Sequence, residues 1–132
     1  MKKMEKAPKI LIVDDDSGIR ALVIATLEEL EDYGVELLTA QNGEDALDII
    51  KTKKPELVIL DVTMPGMSGF EVCNTVKNVL GLKAICILLL TAQAQQADRQ
   101  RGNSVGADYY ITKPFQVDEL LKVVTKILAI EL

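Results

Sequence analysis

There is no histidine in this sequence and no tryptophan, and cysteine occurs only twice. Without histidine there is no Ser-His-Asp or Cys-His couple and no histidine-ligated zinc. Cys73 and Cys86 sit inside apolar stretches, a pattern that reads as buried free thiols rather than a disulfide or metal pair and suits a reducing cytoplasm. Surplus positive charge is missing too. Lys+Arg 15 against Asp+Glu 20 leaves −5, so nothing points to direct binding of nucleic acid or of an anionic membrane. No apolar run approaches the ~20 residues that a membrane span requires, and Met1–Pro8 has no signal-peptide apolar segment.

What is present is a chain of 132 residues, 48% hydrophobic, enough for one domain with a real core. Residues 1–8 form a short Lys-rich lead-in that is expected to be flexible, ahead of a single domain over 9–132. Lys9–Val13, apolar from Ile10 on, reads as a buried strand that runs into Asp14-Asp15-Asp16. Ser17 or Asp16 then caps a helix with Ile19, Leu22, Val23, Thr26, Leu27 and Leu30 at helical spacing. Val35–Ala40 is a less apolar strand, placed near the sheet edge, and Glu44–Lys51 a short helix. Leu57–Leu60 is apolar throughout, as a strand buried on both faces must be, and it ends at Asp61 before Pro65-Gly66 breaks the chain into a loop. Phe70–Leu80 follows as a helix with Val72, Cys73, Val76, Val79 and Leu80 on one face. Ala84–Leu90 is a central strand ending at Thr91, Gln95–Ser104 a polar helix, Asp108–Thr112 a fifth strand ending at Lys113, and Val117–Leu128 the last helix. This alternation predicts an α/β fold, a doubly wound parallel sheet of five strands with helices on both faces.

In a parallel sheet Asp14, Asp15, Asp61, Thr91 and Lys113 all fall on one edge, the carboxyl edge where ligands bind in open α/β folds. Taken singly each has a plain explanation: helix cap, turn former, cap, solvated charge. Their order, one set per strand end, is what makes them a site. Two carboxylates ~5 Å apart repel by roughly 3 kcal/mol at an effective dielectric near 20. A divalent cation removes that cost, and an all-oxygen, histidine-free donor set that includes a loop carbonyl such as that of Thr63 suits Mg²⁺. A carboxylate beside such a cation, with a lysine and a hydroxyl at hand, is equipped to accept a phosphoryl group, because that transfer needs mainly positioning and charge neutralisation.

The segments Ile12–Asp15 (Ile-Val-Asp-Asp), Leu60–Gly69 (Leu-Asp-Val-Thr-Met-Pro-Gly-Met-Ser-Gly), Leu90–Ala92 (Leu-Thr-Ala) and Gly106–Phe115 (Gly-Ala-Asp-Tyr-Tyr-Ile-Thr-Lys-Pro-Phe) resemble a two-component response-regulator receiver domain of the chemotaxis-regulator type. The resemblance runs from Lys9 to about Leu128. It implies the flavodoxin-like (βα)5 fold with strand order 2-1-3-4-5. It implies that Asp61 is phosphorylated by a partner sensor histidine kinase or phosphotransfer protein, with Asp14, Asp15, Asp61 and the Thr63 backbone carbonyl around Mg²⁺. Thr91 and Lys113 would contact the phosphoryl group, and the Lys113–Pro114 bond would be cis. Thr91 and Tyr110 would form the switch that reshapes the face made by the fourth helix, fifth strand and fifth helix, for a downstream effector or output domain. Tyr109, its neighbour, would point to the other side of the sheet. Thr63 and Gln93, two residues after Asp61 and Thr91, are neither acid nor base, so slow to moderate self-hydrolysis of the acyl phosphate is expected. Such a domain is no enzyme in the turnover sense and is cytoplasmic.

Two rivals share parts of the pattern. A haloacid-dehalogenase-type phosphatase wants a second Asp where Thr63 stands, and a flavodoxin-type cofactor binder wants a Ser/Thr/Gly-rich loop where Asp14–Asp16 stand. A degenerate receiver, acting as a phosphorylation-independent interaction module, would be expected to lack some of the five key side chains, and all are present.

Overall fold

The computed structural model describes residues 7–91 and 96–130, without the side chains of 96–99. Gln93 and most of the expected lead-in lie outside the described residues. Five strands, β1 (Lys9–Val13), β2 (Glu36–Ala40), β3 (Leu57–Asp61), β4 (Cys86–Thr91) and β5 (Tyr109–Thr112), alternate with α1 (Ser17–Leu27), α2 (Gly43–Lys53), α3 (Gly69–Asn74), α4 (Gln96–Ser104) and α5 (Val117–Leu128). All strand pairs are parallel and the order is β2-β1-β3-β4-β5. The fold is therefore the doubly wound one that the sequence pattern predicts.

Period-two alternation decides which helices cover which face. Leu57 and Ile59 join Ile10, Ile12, Leu88 and Leu90 under α1 and α5. Val58 and Leu60 join Leu11, Val13, Ile87 and Leu89 under α2 and α3. β3, buried at every position, is the middle strand, and Asp61 is its last residue. β2 lies at the edge, which explains its half-exposed, mixed composition.

Four local expectations need correction. The first helix does not run on to Leu30: after Leu27 it tightens into a 3₁₀ segment, Glu28–Tyr33, closed by Gly34 at φ 90°. Leu22, expected on its inner face, is 42% exposed. The third helix widens into a π turn at Thr75–Val79. More residues per turn rotate everything beyond Val76 away from the core, so Val79 ends 71% exposed and Lys77 is buried in its place. Cys73 is buried as expected, but Cys86, the first residue of β4, is only half-buried, because a strand's first residue is less well covered than its middle. Burial pushes both thiols up to about 11, so neither is a ready nucleophile.

Candidate functional site

The first carboxylate loop is fixed by its own side chains. Asp16 caps α1, accepting from the Gly18 and Ile19 amides at 2.8 and 3.2 Å. Asp14 is buried, and its Oδ1 accepts from the Asp16 amide at 3.0 Å. Asp15, between them, is exposed at the mouth. Asp61 arrives from β3, 3% exposed, and the loop after it folds back at once. The Val62 amide continues the ladder to Leu90 O at 2.9 Å, and the Gly69 amide donates to Val62 O at 2.9 Å. Gly69 must be glycine because α3 starts against the strand end: a Cβ there would collide with the Asp61 carbonyl oxygen. Gly69→Ala is expected to cost about 2 kcal/mol, as overpacking against backbone does. A chemical denaturation series would show it as a lower midpoint.

Asp14, Asp15 and Asp61 each offer a carboxylate oxygen, and these lie within 4.8 Å of one another. Lys113 reaches in from the end of β5, with Nζ 3.0 Å from Asp61 Oδ1 and 3.7 Å from Asp14 Oδ2. Its amide donates to Thr91 O at 2.6 Å, which joins the ends of β4 and β5, and the Lys113–Pro114 peptide is cis. Thr91 is buried at the end of β4. The Thr63 main chain, in the loop after β3, is close enough to the Asp61 carboxyl to pull its pKa down. Tyr110 is half-buried on the side of the sheet covered by α2, α3 and α4, whereas Tyr109 packs toward α1 and α5. Gly102 of α4 faces the Tyr110 ring, since a Cβ there would lie 3.6 Å from Tyr110 Cδ2.

The electrostatics are those of an underneutralised acidic pocket. Burial raises the Asp61 carboxyl above its ordinary value, outweighing the Lys113 bond that pulls it down. Burial likewise raises Asp14, and the charge of Asp61 adds to that effect. Burial alone would pull Lys113 down, but its bond to Asp61 and the nearby charges of Asp61 and Asp14 leave it raised. Asp14 Oδ2 is a buried oxygen that accepts no hydrogen bond, with Lys113 Nζ standing off at 3.7 Å. With three carboxylates and one ammonium the pocket carries −3 + 1 = −2, the charge that one divalent cation cancels. An all-oxygen donor set with an orphaned buried carboxylate oxygen fits a hard cation. Sequence reasoning missed Arg20, whose Nη1 donates to the Asp14 carbonyl at 2.6 Å, and the pair Lys77–Asp108 at 2.8 Å. An Arg on a helix and a Lys within an apolar stripe give no signal of their partners.

A raised carboxylate pKa means that the folded state binds protons more readily than the unfolded one. Stability from Asp14 and Asp61 is then full below the ordinary 3.8 and is lost as pH rises through their higher folded values. Removing one charge should therefore stabilise the metal-free protein at neutral pH. Asp14→Asn, which keeps the oxygen that accepts from Asp16, is expected to raise Tm in EDTA by a few degrees, or about 1 kcal/mol. A divalent cation at the cluster is expected to raise the parent's Tm, and the same variant to lose most of that gain. A calorimetric scan in EDTA and in Mg²⁺ checks both signs.

Fold and pocket together define a doubly wound α/β domain with an acidic, lysine-bearing cluster at the carboxyl rim of the sheet. Comparison with known proteins narrows that class. Residues 10–125 match the family described as the response regulator receiver domain. The transcriptional regulatory protein YvrH of Bacillus subtilis is 44% identical over 117 residues, covering 89% of this chain and 47% of that protein. The response regulator MprA of Mycolicibacterium vanbaalenii is 42% identical over 113 residues, covering 86% of this chain and 47% of that protein. The chain thus spans about half the length of these curated relatives. Among solved structures, the chemotaxis protein CheY4 of Vibrio cholerae superposes with a TM-score of 0.82 at 36% identity, over 92% of this chain and 99% of that one. The response regulator DrrB, an OmpR/PhoB homologue of Thermotoga maritima, gives 0.82 at 34% identity, over 94% of this chain and 54% of that one. The chain belongs to the response regulator receiver domain family, the receiver part of two-component regulators.

Proposed function

We propose that this chain is a working phosphoacceptor, with Asp61 as the nucleophile. The observation that carries this reading is the geometry around Asp61: an ammonium at 3.0 Å and two further carboxylates within reach of one shared cation. An Asp61 carboxylate oxygen attacks phosphorus of a phosphohistidine on a partner kinase or phosphotransfer protein. The new O–P bond forms as the P–N bond breaks, and the histidine leaves. Asp14, Asp15, Asp61 and the Thr63 carbonyl are the groups that would hold Mg²⁺. Bound there, the ion would offset the carboxylate charge and attract phosphoryl oxygens. Lys113 supplies a point charge to the transferred group, and Thr91 a hydroxyl.

The product then acts as a ligand on a bistable element. Thr91 and Tyr110 sit at adjoining strands, and Tyr110 faces α4 at Gly102, so a change at the rim reaches the face made by α4, β5 and α5 through direct packing. The output is a downstream effector or an attached domain, and the transcriptional regulators among the relatives favour a DNA-binding one outside this segment. Among the described residues no helix is long and apolar enough to cross a membrane.

Beryllofluoride with Mg²⁺, a mimic of the acyl phosphate, tests the reading by amide NMR. Shifts are expected at residues 61–63 and also at 108–113, and none in EDTA. Shifts confined to the β3 loop would remove the switch, and no shifts at all would remove the phosphoacceptor.

A further inference from the structure

Arg20 stands on α1, and its own amide donates to Asp16 O at 3.0 Å, in the first turn of the helix. Its guanidinium turns back toward the sheet, where Nη1 donates to the main-chain oxygen of Asp14 at 2.6 Å. That oxygen has no ladder partner. The Asp14 amide still pairs with Ala40 O at 3.3 Å, in the register of β1 against β2. In a parallel ladder the next donor for the Asp14 carbonyl would be the amide of residue 42. Asn42, however, has already left the strand to become the N-cap of α2, with its side chain on the Asp45 amide. A side chain from α1 supplies the donor that β2 stops short of giving.

The result is a closed ring of three hydrogen bonds around the first acidic loop. Arg20 holds the Asp14 carbonyl, the Asp16 carbonyl holds the Arg20 amide, and Asp14 Oδ1 holds the Asp16 amide. Asp15 is the residue enclosed by this ring, and the orphaned Oδ2 of Asp14 is aimed by it. We propose that Arg20 is a positioning residue for the cation pocket, bracing the Asp14–Asp16 turn so that the Asp14 and Asp15 carboxylates are preset for a divalent ion. The inference rests on the reading of that pocket as a Mg²⁺ site. Groups that orient metal ligands from behind commonly govern affinity by 10–100-fold when removed, because the ligands must then be ordered at the moment of binding.

The cleft outside Arg20 is lined by Thr39, Gln41, Asp45 and Asp48, with Ala40 and Ile49 beside them. Arg20 is half-buried there, so its truncation opens an existing solvent-facing cleft rather than a closed cavity. Lysine can carry one donor to the same carbonyl; methionine can carry none.

MgCl₂ titrations followed by amide NMR shifts, with thermal melts in EDTA alongside, test the proposal on the parent chain, Arg20→Met and Arg20→Lys. The Mg²⁺ Kd is expected to rise about tenfold in Arg20→Met and to stay within about threefold in Arg20→Lys. A Kd for Arg20→Met within twofold of the parent overturns the proposal, whatever happens to Tm. So does a loss in Arg20→Lys as large as in Arg20→Met, since the donor to Asp14 would then not be what counts. If Arg20→Met does not fold, Arg20→Gln replaces it, because its shorter side chain withdraws the donor while keeping the cleft polar. A parent chain that binds no Mg²⁺ would instead sink the metal reading itself.

Discussion

Asp61→Asn is expected to abolish phosphoryl incorporation from a small donor such as acetyl phosphate with Mg²⁺, while the fold and its Tm are kept or slightly improved. Asparagine matches aspartate in shape, and the position is buried at the end of the middle strand, so packing is preserved. What is lost is the anionic oxygen that must form the bond to phosphorus. The removed charge was raised by burial, so the metal-free variant gives up a cost rather than a contribution. Lys113→Met should leave incorporation measurable but slower by about 10²–10³-fold, the usual loss when one preorganised electrostatic partner is removed. Phosphoprotein mass analysis over a time course measures both. Incorporation that persists in Asp61→Asn would move the acceptor elsewhere and end the assignment.

The other large effect lies at the far end of the sheet. Lys77 Nζ sits 2.8 Å from Asp108 Oδ2 and also donates to Lys83 O at 3.1 Å. The same Asp108 oxygen accepts from the Ile87 amide at 2.9 Å, so one carboxylate ties the π turn to the starts of β4 and β5. The two partners differ in exposure: the Lys77 side chain is 5% exposed and that of Asp108 39%. Asp108→Ala leaves the buried Lys77 ammonium with only the Lys83 carbonyl and frees the Ile87 amide, and should cost about 2–3 kcal/mol, or on the order of 10 °C in Tm. Lys77→Met keeps the buried stem and lets Asp108 turn to water, so its cost should be near 1 kcal/mol. Urea midpoints for the two variants check the asymmetry. Equal losses would show that the pair acts as a surface contact rather than a buried post.

The fold of this chain and the gathering of polar groups at one rim were legible in its sequence. Apolar runs ending in Asp14-Asp15, Asp61, Thr91 and Lys113 state both the parallel sheet and the rim at which the polar groups collect. The absence of histidine narrows the donor set to oxygen. Helix faces with clean spacing, such as Ala46, Leu47 and Ile50, are buried as their pattern demands. Local signals failed where one extra backbone residue or one distant partner intervened. The π turn moved Val79 outward, and nothing in the spacing of Phe70–Leu80 encodes the widening. Lys77 in an apolar stripe reads as an error until Asp108 is placed against it.

The sequence by itself determined which residue types arrive at the rim and in what order, because strand and helix periods are short-range properties of the chain. Only the tertiary structure decided that Lys113 touches Asp61, that Asp14 is buried while Asp15 opens to solvent, and that Arg20 closes the loop behind them. Those choices depend on where β2 ends relative to β1 and on β5 ending level with β4, Thr112 beside Thr91, and register between strands is set by packing across the sheet rather than by neighbours along the chain.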